Sequence, residues 1–217
     1  MDVLLGRESG EKHRLDVPGL NYPVDLPLVR VPGPGGRMLR IASLNLVGQV
    51  RLNADLGRLL AGRIRADHPD LAGLAVLTVV EKALQLAQMV CVELDLPACA
   101  VAYNRVKPHM EPDRRPVVQV GADSITSGGK FLALYERDLS LLAAARGLIV
   151  VDDVVSTGGT LLGLLDLVET AARRQGFAPP PVLGVYCAAQ EGERHPLLPV
   201  PVCALAPLPK PVPEAAA

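Results

Sequence analysis

The thirteen residues from Leu148 to Thr160, Leu-Ile-Val-Val-Asp-Asp-Val-Val-Ser-Thr-Gly-Gly-Thr, constrain the fold more than any other stretch. Leu148 to Val151 is a continuous apolar run, the pattern of a strand covered on both faces. Leu161 to Arg174 is amphipathic and reads as a helix. A strand that enters a helix through a short turn places backbone N–H groups at a helix N-terminus, which suits an anion such as phosphate. Ser156, Thr157 and Thr160 add hydroxyl donors, and Gly158 and Gly159 let the backbone approach the anion without a Cβ in the way.

Asp152 and Asp153 cannot serve that anion, because like charges repel. They need vicinal hydroxyls, a metal, or both. A ribose 5-phosphate with free 2- and 3-hydroxyls supplies a diol and a phosphate at the required spacing. An ordinary capped strand–turn–helix is the competing interpretation. Paired acids followed by Ser-Thr-Gly-Gly-Thr favour the sugar phosphate.

The chain of 217 residues suits one α/β domain with an appendage, and 49% apolar content is enough for a sizeable core. Its formal net charge of −1 gives no global basic field, so nucleic acid is not an expected partner. No apolar stretch is long and charge-free enough to span a bilayer, and Met1 to Arg14 lacks a signal-peptide core. Cys91, Cys99, Cys187 and Cys203 form no C-x-x-C pair and each sits in an apolar run. Buried free thiols in a reducing cytoplasm are expected, without a zinc site.

Along the chain, residues 1–46 are expected to form an N-terminal arm and a small hood. Met1 to Asn21 is polar with little periodicity. Tyr22 to Val31 and Arg37 to Leu46 flank Pro32-Gly-Pro-Gly-Gly36 and suit a hairpin. Residues 47–190 are expected to be the α/β core. Asn53 to Ile64 has helical spacing, capped by Asn53 or Asp55. Leu74 to Val80 suits a parallel strand, and Ala83 to Leu94 a helix packed through Leu84, Ala87, Met89, Cys91 and Leu94. Pro97 to Tyr103 is the next strand, and Asn104 to Val120 a long charged loop. Val117 to Val120 pairs with Phe131 to Tyr135 around Ser127 to Lys130; Leu139 to Ala145 is a short helix, and Val182 to Ala188 a further strand. Residues 191–206, with Val200 to Leu205 as a short strand, are assigned to the hood, and 207–217 to a flexible tail. The β-α-β alternation predicts a Rossmann-like, open, mostly parallel sheet flanked by helices. Ligands in such sheets sit beyond the carboxyl ends of the strands, where Glu81-Lys82, the Asn104 loop and Asp152 to Thr160 all fall.

The thirteen residues match the signature for 5-phosphoribosyl 1-pyrophosphate (PRPP) in the type I phosphoribosyltransferases. The resemblance extends over roughly Ser43 to Gln190 and is similar to the adenine and xanthine enzymes and their PRPP-binding regulatory relatives. It implies a core that binds PRPP and a hood that covers a nucleobase. By that resemblance Asp152 and Asp153 accept hydrogen bonds from the ribose hydroxyls and place negative potential near the developing cation, and Val155 to Thr160 wrap the 5-phosphate. Glu81, Lys82 and Ala83 fall where the family holds pyrophosphate. Arg105 and Lys107 begin the loop that closes over the leaving group. Mg²⁺ is implied, held mainly by PRPP, with no protein residue assigned as its ligand. The implied reaction is purine salvage by a cytoplasmic homodimer: the phosphoribosyl group passes to a purine and pyrophosphate leaves. The alternative is a non-catalytic PRPP sensor of the same fold.

Two departures bear on these expectations. Many relatives have a glycine after the acid–basic pair of the pyrophosphate loop, where Ala83 and Leu84 stand here; a Cβ there implies a strained backbone. Asp123 to Lys130 also lacks the glutamate of the adenine enzymes and resembles the xanthine-enzyme and regulator branch. That branch implies Asn45 as a base-reading residue, against a plain turn role. Glu81 and Lys82 have a competing role at a helix start, and Arg105 and Lys107 as a solvated loop. Tyr22 is a candidate for stacking on a base; Tyr186 suits core packing better. Lys130, His109 and His195 suit solvated surface positions.

Overall fold

Leu148, Ile149, Val150 and Val151 are all buried, and they divide between two cores on opposite faces of one sheet. Ile149 and Val151 point to one side, Leu148 and Val150 to the other, as strand period two requires. The strand is β8, Gly147–Val155. In the computed structural model, which describes residues 8–33, 37–104, 118–120, 132–193 and 198–213, it is the centre of a five-stranded parallel sheet. Its neighbours are β4 (Leu74–Val79) and β9 (Val182–Glu191), with β5 (Ala100–Ala102) and β10 (Val202–Leu208) at the edges. The order β10-β9-β8-β4-β5 makes this an α/β fold with an open parallel sheet flanked by helices.

Helices α1 (Val50–Asp67) and α2 (Leu84–Leu94) cover one face, with Leu56, Leu60, Ile64, Leu86 and Val90 in the same core as Ile149 and Val151. Helices α3 (Glu136–Ala144) and α4 (Gly159–Gln175) cover the other, where Leu142, Leu164 and Leu167 meet Leu148 and Val150. A second, antiparallel sheet holds β1 (Glu8–Leu15), β2 (Val24–Pro32), β3 (Met38–Ala42) and β11 (Val212–Pro213) in the order β1-β2-β3-β11. Its Leu15, Leu26 and Ala42 join the α1–α2 core, which seats this hood on the main sheet. The β2–β3 hairpin forms as expected, as does the antiparallel pair β6 (Val118–Val120) and β7 (Leu132–Leu134).

Several expectations need correction. Glu8–Leu15, taken for an aperiodic arm, is an edge strand paired with β2 from Leu15↔Val24 to Glu8↔Val29. An edge strand with one half-covered face carries no apolar alternation to betray it. Val202–Leu208 belongs to the core rather than the hood, paired parallel to β9. Val212–Pro213 pairs with Leu39 and Arg40 of β3, so that part of the C-terminal segment is hood rather than tail. α1 begins at Val50, ahead of the expected Asn53, and neither Asn53 nor Asp55 caps it. Asn53 is buried and donates from Nδ2 to the carbonyls of Leu46 at 2.6 Å and Gln49 at 2.8 Å, tying the incoming chain to the helix. In α2 the core face carries Leu86 and Val90 beside Ala87, Cys91 and Leu94, while Leu84 is exposed. Of the cysteines, Cys91 and Cys187 are buried and Cys99 and Cys203 half-buried; all four are free.

Candidate functional site

The carboxyl ends of β4, β5, β8 and β9 open into a cavity of about 680 Å³ that the hood borders through Ile41 to Leu44. β8 is fully buried from Gly147 to Val151 and becomes half-buried at Asp152, Asp153 and Val154. The loss of cover coincides with the acids, which both line the cavity. Asp152 turns one oxygen back to its own chain, where Oδ1 accepts the Asp153 N–H at 2.9 Å. On the neighbouring strand Asp152 is in register with Cys187, a thiol that burial, and secondarily Asp152, pushes upward and holds neutral.

The turn after β8 supplies the second component. Gly158, at φ 77°, is the N-cap of α4, a left-handed conformation that favours glycine. Gly158 itself brings no side chain to cap this helix, and the first turn carries no acid. A helix start of this kind suits an anion. Ser156 and Thr160 line the cavity. Val155 is buried in the core, so it can contribute only backbone, and Thr157 is exposed outside the lining. A Cβ on Gly159 would meet nothing closer than Thr157 Oγ1 at 3.8 Å, so packing does not require glycine there.

At the tip of β4, Glu81, Lys82 and Ala83 form a third wall. The Val80–Glu81 peptide is cis. Glu81 and Lys82 are exposed towards the cavity, while Ala83 is buried at the start of α2. Ala83 has φ −85° and ψ −10°, ordinary right-handed backbone, so its Cβ imposes no strain. The expected penalty of an alanine at this position is absent.

The hood contributes Ile41 to Leu44. Burial alternates here: Ala42, Leu44 and Leu46 are buried while Asn45 is exposed. Asn45 Oδ1 accepts the Val47 N–H at 3.1 Å and closes a local turn, and Asn45 is not in the lining. Tyr22 is also elsewhere, with its hydroxyl on Asp55 at 2.7 Å and the Arg51 guanidinium over its ring. Arg105, Lys107, His109, Lys130 and His195 lie outside the described residues. Lining side chains beyond the expected site residues include Ser43, Leu132 and Glu191. Glu191 ends β9 and is half-buried, and burial raises its carboxyl above the ordinary range. The rule that ligands gather at strand carboxyl ends would have found it, had the strand been extended past Ala188.

A larger cavity, about 810 Å³, lies along β9 and β10 beside the end of α1. Its polar groups are engaged with one another: Tyr186 Oη donates to Asp67 Oδ2 at 3.0 Å, and Arg63 Nε donates to the same oxygen at 2.9 Å. The smaller cavity has the chemistry instead, with two acids, a helix N-terminus and an exposed lysine. Among the described residues no group of three or more His, Cys, Asp or Glu could hold a metal.

Residues 48–174 match a family model described as the phosphoribosyl transferase domain. A search of curated protein sequences finds no match. Similar solved structures include an adenine phosphoribosyltransferase at 15% identity and TM-score 0.53, with 82% of this chain and 94% of that one covered. The enzyme from Thermoanaerobacter pseudethanolicus aligns at 13% identity and TM-score 0.51, covering 83% and 95%. The enzyme from Saccharomyces cerevisiae, complexed with an imino-altritol bisphosphate and adenine, aligns at 15% and 0.52, covering 82% and 93%. At such identities these three share the fold.

Proposed function

This chain belongs to the phosphoribosyl transferase family, and we propose that it moves the 5-phosphoribosyl group of PRPP to a purine base and releases pyrophosphate. The observation that carries this reading is the shared cavity: Asp152 and Asp153, the turn with Ser156 and Thr160, and Glu81 to Ala83 all line it. The 5-phosphate, the diol and the pyrophosphate of PRPP would each find complementary groups there.

In this reading the α4 N-terminus, with backbone from Val155 to Thr160, holds the 5-phosphate. Asp152 and Asp153 accept from the ribose hydroxyls and stabilise the positive charge that grows on the ring as the C1–O bond breaks. Lys82 neutralises the departing pyrophosphate, with Glu81 and Ala83 shaping its loop. Arg105 and Lys107 are assigned to the same leaving group by resemblance. Mg²⁺, bound mainly through PRPP, would supply further charge neutralisation beside the acid pair. The hood residues Ser43 and Leu44 cover the base and exclude water, which would otherwise hydrolyse PRPP. Holding both reactants in line is the protein's main task, since the bond changes need no covalent intermediate.

The yeast relative's complex with adenine makes adenine the first base to test. The PRPP-sensor alternative draws on the Ala83-Leu84 departure; the ordinary backbone at Ala83 supports the catalytic reading. We extend the proposal to a cytoplasmic homodimer, to be checked by light scattering. Among the described residues no helix is long and apolar enough to cross a membrane.

The test is pyrophosphate release from PRPP and Mg²⁺ with adenine, guanine, hypoxanthine, xanthine and orotate. Nucleotide formation from at least one purine is expected. Folded protein that releases no pyrophosphate with any base, and whose melting temperature PRPP does not raise, would overturn the proposal.

A further inference from the structure

The order of strands indicates where the acceptor base enters. The pyrophosphate loop, Glu81 to Ala83, follows β4, and the acid pair ends β8. β9 is the neighbour of β8 on the side away from β4. In a displacement at C1 the attacking nitrogen approaches opposite the leaving group. With pyrophosphate over β4 and ribose over β8, the base must therefore lie towards β9. The side chain at the tip of β9 that lines this cavity is Glu191.

Glu191 has the properties of a recognition group. It is half-buried, in a cavity whose hood side is apolar at Ile41, Ala42 and Leu44. Among the described residues no cation or hydrogen-bond donor is recorded against it, and burial raises its carboxyl. A partly desolvated acid facing a cavity marks a functional position. Gln190, beside it in sequence, lines the other cavity instead, as alternation along a strand requires.

We propose that Glu191 is a specificity-determining residue: its carboxylate accepts an N–H from the far edge of a neutral base and repels an acceptor that carries a carboxylate of its own, such as orotate. The proposal rests on the base-transfer reading above. A site built to receive an N–H strongly rejects an analogue without one, because its acceptor is left unpaired. A second anion beside Asp152, Asp153 and Glu191 also adds repulsion in a partly desolvated space.

The test compares the full chain with Glu191→Gln and Glu191→Leu, using adenine, guanine, hypoxanthine and orotate. Base binding is measured by calorimetry in the presence of PRPP and Mg²⁺, and turnover in parallel. For the preferred neutral base, Glu191→Leu is expected to raise KM and Kd by roughly 10- to 100-fold, the range for losing a charge-assisted hydrogen bond. The PRPP-induced rise in melting temperature should persist, which shows that the variant is folded and its PRPP site intact. Glu191→Gln, which keeps an acceptor oxygen, should lose less and should narrow the preference for that base over orotate by about tenfold. Unchanged base affinity and preference in both variants, with PRPP binding and turnover intact, would overturn this proposal and leave base transfer standing. A shift in Mg²⁺ half-saturation without a change in base affinity would overturn it in favour of a cation-binding role. Absence of base binding and turnover in the unsubstituted chain would overturn both.

Discussion

The hydroxyl of Tyr186, in the middle of β9, donates to Asp67 at 3.0 Å in the last turn of α1. His68 Nε2 lies 3.0 Å from the same hydroxyl, and Arg63 holds the same carboxylate at 2.9 Å. The contact fastens the end of α1 to the sheet, away from the cavity that holds the acids.

Removing this hydroxyl should therefore affect stability without affecting chemistry. Tyr186→Phe is expected to cost about 1 kcal/mol in urea unfolding, because Asp67 keeps Arg63 as a partner. It should leave kcat/KM within about twofold. Burial, and then the hydrogen bond to Asp67, raise the Tyr186 phenol above its ordinary 10.0. The protonated form is thus favoured in the fold. The associated stability is fully present below about pH 10 and is lost as pH rises, since the unfolded tyrosine ionises first. The phenylalanine variant should show a shallower loss of stability as pH rises above about 10.

At the acids the expectation reverses. Asp153→Asn should lower kcat/KM for PRPP by roughly 10- to 100-fold, with unchanged circular dichroism and a melting temperature within a few degrees. The double change Asp152→Asn with Asp153→Asn should cost more than either alone, but less than the product of the two losses if the pair grips one diol. An activity near that of the unsubstituted chain would remove the acids from the mechanism.

Ala83→Gly tests the pyrophosphate loop. With φ at −85°, the alanine is not strained, so glycine relieves nothing. It should destabilise by about 0.5–1 kcal/mol through added freedom in the unfolded chain. Turnover should not rise. Improved stability together with faster turnover would show that the Cβ is a burden at this position.

Asn53 is the inner fastener of the segment that carries Ser43 and Leu44 to the cavity. Asn53→Ala removes the donor to the carbonyls of Leu46 and Gln49. A loss of about 2 kcal/mol is expected from two buried or partly buried acceptors left unmet. The KM for the base should rise more than the KM for PRPP, because the hood side of the cavity loosens first. Equal effects on both would place the role of Asn53 in general stability alone.

The central half of the molecule was legible because its signals are local. Leu148 to Val151 is apolar without alternation since both faces are covered, and Asp152 to Thr160 concentrates acids, hydroxyls and glycines where cover ends. The hood was harder. β1 has few apolar residues because it lies at an edge, and Val212–Pro213 joins β3 through backbone alone, with both side chains exposed. β10 looked like a hood strand because its partner β9 comes earlier in the chain and nothing in its own composition names that partner. Asn45 illustrates a different limit. An asparagine suits a turn and a base equally well on paper; here its Oδ1 accepts the Val47 N–H between the buried Leu44 and Leu46. Glu191 was passed over because its strand runs on past Ala188, so the tip falls later than the apolar run suggests.

The chain leaves β10 at Leu208 and enters β11 at Val212, so the two sheets are tied by a short cord containing two prolines. Fully stretched, those four steps reach about 14 Å. With residues 43–49 as the other tie, the roof is moored at two points and cannot swing wide. For the proposed base acceptor this would leave entry from the flank, and widening that entrance by inserting residues after Leu208 should speed its exit as well as its arrival.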